Sequence, residues 1–441
     1  MKYSAHYPAL LRLGVPIMTG QLAVILMNIA DTVMIGRHSA DELAASAFVN
    51  GIIGLALVAG MGFSYGLTPV VGALMGKGET SQVAEKLKNG LAANCLLSIM
   101  LMLLLGLLAI LLPHLGLPPH LIPLMRPYLL LLTLSILPQM AFNGYKQFSD
   151  GIQDTRTPMW IMLAANVANV AGNWMLIYGH GGLPELGLVG AGIATLFSRV
   201  MAWGLCFYIF HFTDHYAPHR YDFRQSCINR SDLRLLSRMG LPVMLQMGME
   251  GASFSLSAFY VGWLGATDMA AHQTMLAVSQ LCFMLYYGMA AAVAVRVSYF
   301  RGAGQVAETR RTAMAGLHLT WILGLMTAIP IFLLRQRIGI WFANDTQVAA
   351  LAAALVPVLC LYQFGDAMQC IYANALRGMA VVRPMIGIAF VAYFLISLPL
   401  GYLFAFPLGL RLVGVWLAFP FGLTSAGIMY FYWFMKSTAK T

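Results

Sequence analysis

Charge is the scarce ingredient of this sequence. Of its 441 residues only 10% are Asp, Glu, Lys or Arg, while 60% are hydrophobic; a soluble globular domain carries about 25% charged residues. So few charges cannot clothe a water-soluble protein of this size. Lipid is the alternative solvent, and each helix crossing a hydrocarbon core about 30 Å thick needs roughly 20 apolar residues. Twelve such helices would use about 250 residues, and the remainder, spread over short loops and two ends, leaves no room for a folded soluble domain. Cysteine is sparse too. The six, at positions 95, 206, 227, 282, 360 and 370, form no CxxC pair and five lie in apolar segments, which argues against a disulfide framework or a zinc site. Acids number 16 against 26 Lys and Arg, a net charge of +10. The basic residues recur in separate short loops and not on one face with aromatics between them, so nucleic acid is not the expected partner. No HExxH or other intramembrane catalytic pattern is present, so no enzyme and no cofactor are expected.

The fold class that follows is an all-α polytopic membrane protein of twelve helices. Charges, Gly and Pro punctuate the chain into apolar segments at about 12–36, 43–69, 88–112, 121–144, 159–178, 187–211, 239–264, 270–295, 313–334, 347–376, 384–406 and 412–435. The first stretch, from about Ala9 to Gly36, is too long for a signal h-region and reads as a retained helix. With twelve segments, twenty Lys and Arg fall on the side of the N-terminus, five (Arg37, Arg126, Arg335, Arg337, Arg411) on the other, and Arg199 inside a segment. The positive-inside rule then places both termini in the cytoplasm, as for a protein of a prokaryotic inner membrane.

The longest polar connection separates two halves: a six-helix bundle over 1–211, a cytoplasmic linker over 212–238, and a second bundle over 239–441. At an offset of 226 residues Gly14 matches Gly240, Pro16 matches Pro242, Met18 matches Met244, Gly36 matches Gly262, Gly76 and Gly78 match Gly302 and Gly304, and Pro158 matches Pro384. One offset holding over so long a stretch is an internal repeat. Two six-helix bundles of like orientation are expected to face each other across a central cleft, as in alternating-access transporters.

Three acids, Asp31, Glu250 and Asp366, lie inside apolar segments, where insertion of a charge costs roughly 2.5 to 3.5 kcal/mol. Each belongs to a polar stripe at helical spacing. Gln246, Glu250, Ser253 and Ser257 draw one, Tyr362, Asp366 and Gln369 a second, Asn166, Asn169 and Asn173 a third, and Gln21, Asn28 and Thr32 with Asp31 a fourth. Gln273 is a further polar residue at cleft-lining depth. Helices facing lipid carry no such stripes, although polar contacts between helices use one or two of them. At 1.5 Å per residue, Glu250 stands about 18 Å from Arg238 and Asp366 about 17 Å from Arg377; Asp31 and Asn173 stand about 28 and 26 Å from Arg12 and Arg156. The first pair can share one level and the second pair another, about 10 Å further out.

Weaker signals are set beside these. Arg199 either pairs with a structural partner or meets an anion. His211, His215 and His219 have metal-like spacing, but Pro218 interrupts them. The run Gly72 to Glu79 is one residue short of a phosphate loop and reads as a turn. The 29 Met and 24 Phe are core and lipid-facing packing, with some available to line an adaptable pocket.

The stretch Ile29-Ala30-Asp31-Thr32-Val33-Met34-Ile35-Gly36, with Pro16, Gln21, Glu250, and Tyr362 to Gln369 followed by Leu376-Arg377-Gly378, resembles the multidrug and toxic compound extrusion (MATE) transporters of the NorM branch. The resemblance covers essentially the whole chain. It implies antiport, in which an inward Na+ or H+ gradient drives export of amphiphilic organic cations or drugs by a monomer in membrane lipid. It also implies an inner-level cation site at Glu250, Tyr362 and Asp366, and an outer site at Asp31, Asn169 and Asn173. Relatives can carry Asp at the position of Asn173, so the outer site here has one formal charge fewer. Na+ between Glu250, Tyr362 and Asp366 is the expected coupling ion, because a monovalent cation relieves carboxylate repulsion and Tyr362 adds a cation-attracting face; a shared proton is the alternative. A lipid-linked oligosaccharide flippase of the same superfamily would want several deep cations, and only Arg199 is deep.

Overall fold

The computed structural model describes residues 3–342 and 345–439. Among them every regular element is a helix. Eleven are long and apolar enough to cross a membrane: α1 (Tyr3–His38), α2 (Ala40–Lys77), α3 (Thr80–His114), α4 (Ile122–Gly151), α5 (Arg156–Tyr178), α6 (Gly187–Phe212), α8 (Ala266–Gly302), α9 (Val306–Leu333), α10 (Thr346–Gly378), α11 (Arg383–Ala405) and α12 (Arg411–Ala439). The twelfth, α7 (Arg230–Leu264), matches them in length at 35 residues. Its polar stripe makes it the least apolar of the set. Most helices run one or two turns beyond the segments marked by hydropathy, because charged residues leave the bilayer without leaving the helix. Thus α3 begins at Thr80 and α7 at Arg230, ahead of the expected 88 and 239.

Internal breaks are local. Helical continuity in α2 lapses at Tyr65 and Gly66, and α4 divides at Ser135. In α11 residues Phe390–Ser397 wind as a π-helix, a wider turn frequent at functional sites. Of the run Gly72–Glu79, expected as a turn, Gly72–Lys77 are the helical end of α2, and only Gly78, at φ +79° where a side chain would be strained, and Glu79 turn the chain.

Two compact units divide the chain, residues 19–244 and residues 1–18 with 245–441. The division falls inside α1 and α7, beside Pro16 and Pro242, and not in the expected linker. The beginning of α1 packs in the second unit: His6 meets Thr312 at 3.1 Å and Glu308 at 3.0 Å, and Tyr7 meets His318 at 3.0 Å. The beginning of α7 packs in the first, where Lys86 bonds both oxygens of Asp232 at 2.7 Å. His6 and Asp232 are equivalent by the 226-residue offset, as are Thr312 and Lys86, so one contact recurs with different chemistry.

Candidate ion and substrate sites

In the second unit the site is built where α10 meets α12 at close range. Gly365 and Gly427 allow this approach: a Cβ on Gly365 would fall 2.6 Å from the Thr424 hydroxyl, and one on Gly427 3.2 Å from the Gln369 backbone. Against this pair lies the polar stripe of α7. Gln246 Nε2 donates to Glu250 at 2.9 Å, and Gln369 Nε2 from α10 stands 3.4 Å from both Glu250 oxygens. The same Gln369 amide donates to the Tyr393 hydroxyl at 2.8 Å, from the π-helical part of α11. Arg377 closes the chain of bonds, donating to Gln246 Oε1 at 2.6 Å and to Asn374 at 3.4 Å. An arginine only donates, so it fixes the Gln246 amide with oxygen toward itself and nitrogen toward Glu250.

Asp366 has the opposite surroundings. It is 1% exposed, its nearest donor is the Cys370 thiol at 3.7 Å, and its Oδ2 has no hydrogen-bond partner. Glu250 is thus surrounded by donors suited to a carboxylate, whereas Asp366 sits where an unneutralised charge would be costly. The Tyr430 hydroxyl, also buried, is another unpartnered polar group in this unit. Tyr362 lies one turn from Asp366, but its hydroxyl accepts from Ser279 at 3.2 Å and its ring packs against Trp416 and Phe419.

The first unit holds a smaller constellation. Asn173 donates to Asp31 and, at 3.3 Å, to Asn169; Asn169 donates to Thr195 at 3.3 Å. Asn169 and Asn173 are fully buried and Asp31 is half-buried. The Asn173 oxygen and the Asn166 nitrogen are buried without partners. Beside this group a cavity of about 730 Å³ runs between α1 and α5, lined by Met27, Met34, Asn166, Val170, Trp174 and Tyr178, with Arg37 at one end. This is the size and apolar character of a small-molecule site. Arg199 donates to the Ser135 hydroxyl at 2.7 Å, across to the break in α4.

Several residues of the expected set lie elsewhere. Asn28 is exposed, and Gln21 is half-buried on another face of α1. Gln273 is exposed and donates to Met269 within α8. The three histidines of the α6–α7 connection diverge: His211 packs on Phe207, His219 on Phe148, and His215 bonds Asp154 at 2.8 Å. Burial pushes the Asp154 carboxyl up, but bonds from His215, Tyr216 and Thr157 outweigh it and hold the group below its ordinary value. Sequence reasoning misses Arg377, which reads as a cytoplasmic flank yet is 5% exposed, and Tyr393 and Tyr430, which are indistinguishable from packing aromatics in apolar runs.

Comparison with known proteins adds a family and a fold. The sequence profile of the MatE family matches residues 16–175 and again 242–403. The matches begin at Pro16 and Pro242, the offset of the internal repeat. An outward-facing multidrug resistance MATE family transporter of the MOP superfamily superposes with a TM-score of 0.88 at 19% identity, over 99% of this chain and 96% of that one. A MOP superfamily transporter from Pyrococcus furiosus, with a binding pocket of reverse polarity, gives 0.86 at 19% identity over 98% and 96%. The eukaryotic MATE transporter AtDTX14 gives 0.86 at 18% identity over 99% and 98%. At these identities the likeness establishes the shared fold.

Proposed function

The chain belongs to the MatE family and is an integral membrane transporter, not an enzyme; from that premise we propose that it is an antiporter exporting amphiphilic organic cations from the cytoplasm, with both termini on the cytoplasmic side of a prokaryotic inner membrane. The observation that carries this reading is the unequal pair Glu250 and Asp366. Glu250 receives amide donors from two helices, while Asp366 presents a buried oxygen with no partner. In such a pair one group holds the charge and the other takes up and gives back a neutralising cation. A bound organic cation and a coupling cation neutralise the same buried charge, so they exclude each other. That exclusion is the coupling.

The donor geometry favours a proton as the coupling ion. Sodium needs oxygen ligands, and Gln246, held by Arg377, turns its nitrogen toward Glu250. Tyr362 has its hydroxyl engaged by Ser279. Na+ among Glu250, Tyr362 and Asp366 is the competing reading, favoured by the open Asp366 oxygen. In the first unit, Asp31 with Asn169 and Asn173 forms the second exchange site, and the cavity beside it accommodates an amphiphilic substrate. A flippase holding a pyrophosphate is less suited to this interior, since Arg199 and Arg377 are each already bonded to side chains.

The test is export of an organic cation from inverted vesicles under imposed H+ and Na+ gradients, applied separately. Export on H+ alone supports the proton reading, and an absolute Na+ requirement assigns the site to Na+. No gradient-dependent export of any organic cation would remove antiport altogether.

A further inference from the structure

Basic residues around the α6–α7 connection, on α3, on the connection itself and on the start of α7, fall into two groups. The first is consumed by the fold. Lys86 holds Asp232, Lys88 donates to the carbonyls of Phe223 and Ser226 at 3.2 and 2.6 Å, and Arg220 donates to those of His211 and Thr213 at 3.0 and 2.8 Å. The second group is Arg224, at the end of the short helix Ala217–Gln225, with Arg230, Arg234 and Arg238. All four are exposed, and among the described residues none of them has a carboxylate within ion-pair distance.

Helix stability does not account for them, since a cation in the first turn, such as Arg230, opposes the helix dipole. Membrane orientation alone does not ask for so many: the repeat-equivalent positions at the start of α1 are Ser4, Pro8 and Arg12, with one charge where α7 has three. On α7 the three arginines follow at i, i+4 and i+8, about 6 Å apart along one face. Exposed Leu241 continues that face toward the bilayer, and exposed Ile228 lies between Arg224 and Arg230. The backbone joining the two arginine positions is pinned to α3. Asn89 donates to the Cys227 carbonyl at 3.3 Å and accepts from the Asn229 amide at 2.9 Å, and the Asn229 side chain donates to Glu85 at 2.8 Å. The patch is therefore held ready, with guanidinium groups over an apolar step.

We propose that Arg224, Arg230, Arg234 and Arg238 form a binding site for the phosphate headgroup of an anionic phospholipid, with an acyl chain laid along Leu241. Guanidinium groups match phosphate oxygens, and preorganisation lowers the ordering cost of binding. A basic residue near an anionic membrane surface contributes about 1 kcal/mol, equivalent to roughly fivefold in affinity for each arginine. The site is independent of the transport reading.

Native mass spectrometry of the full chain, with phosphatidylglycerol and phosphatidylcholine of identical acyl chains, tests it. Wild-type protein should retain phosphatidylglycerol over phosphatidylcholine, and the variant R224Q/R230Q/R234Q/R238Q should lose that preference by tenfold or more. Replacing the same four by Lys should restore part of it, separating charge from packing. A charge-matched control, R12Q/R156Q/R301Q/R383Q, should keep it. Equal retention of the two lipids by wild type, or equal loss in the control, would overturn the proposal. Glycerol phosphate that displaces the lipid at micromolar concentration would identify a soluble phosphate ester as the ligand and overturn it also.

Discussion

The two halves of this chain share a fold and differ in their interiors. Where the second unit places Tyr362 and Asp366, the equivalent positions of the first, 226 residues earlier, are Ile136 and Met140, both buried in an apolar cluster with Leu129 and Leu132. Glu250 corresponds to Val24, and Arg377 to Gly151. In the other direction Asp31 corresponds to Ser257 and Asn173 to Pro399. Duplication has kept the packing positions, such as Gly14 with Gly240, while the polar groups have moved to unrelated places. The repeat therefore specifies a scaffold twice and a site of each kind once. One unit holds a network of two acids, an arginine and several amides, and the other a single carboxylate with two asparagines beside a large cavity.

The comparison is broken most directly at the acids. Glu250→Gln and Asp366→Asn should each reduce gradient-driven export to background with normal membrane expression, because on the proposed reading each removes the charge exchanged and little packing. Resistance near wild type in either variant would take that residue out of the mechanism. Asp31→Asn should act at a different step. Its amide can still meet Asn173, so drug binding to the purified protein should persist while export slows about tenfold or more, roughly 1.4 kcal/mol on the limiting step. Complete loss of binding in a folded Asp31→Asn protein would make Asp31 a direct substrate contact and erase the division of labour.

The scaffold half of the comparison is sharpened by a matched pair of glycines. A Cβ on Gly240 would fall 2.4 Å from the Phe63 carbonyl oxygen, a rigid backbone atom, whereas one on Gly14 meets the flexible end of Met289 at 3.2 Å and the Ala292 Cβ at an ordinary 3.5 Å. Gly240→Ala should destabilise by about 1 to 3 kcal/mol, as overpacking does. Gly14→Ala should change thermal stability little. Equal shifts in unfolding temperature would show that the two crossings are packed more alike than these contacts indicate.

Legibility in the sequence follows from contrast. A carboxylate in an apolar run is conspicuous, so Asp31, Glu250 and Asp366 stand out, and the periodicity around them groups Gln246 with Glu250 and Asn169 with Asn173, pairs that are hydrogen-bonded, whereas Gln369, grouped with Tyr362 and Asp366, bonds across to Glu250 and Tyr393. Asn28, about one turn before Asp31 on α1, is exposed where Asp31 is half-buried. Arg377 reads as a loop charge because it borders the bilayer, but its side chain turns inward to Gln246. The division of α1 and α7 between units leaves no mark beyond two prolines, since a helix whose ends pack in different units has the same apolar pattern as one that does not. Tyr393 is hidden for a related reason, being one aromatic in an apolar segment whose π-helical turn is not written in its hydropathy.

Tyr393 provides the smallest and most local way to sharpen the comparison. Its repeat equivalent is Val167, which is 70% exposed and carries no polar group. The Tyr393 hydroxyl takes the Gln369 amide at 2.8 Å, and the same amide stands 3.4 Å from Glu250. Tyr393→Phe would leave the ring in place and remove a hydroxyl that accepts from Gln369 and itself donates to Glu250. Hydrogen bonding worth about 0.5 to 1.5 kcal/mol per bond is then lost, and Gln369 is left as the α10 donor to Glu250. Export should fall between about twofold and tenfold. Because Glu250 loses a hydrogen-bond donor, the pH optimum of export should also shift from that of wild type. The pH–rate profile of the variant in vesicles, set beside that of wild type, decides it. An unchanged profile with full activity would mean that the amide network of the second unit does not tune the exchanging carboxylates, and that the two interiors differ in polarity without differing in role.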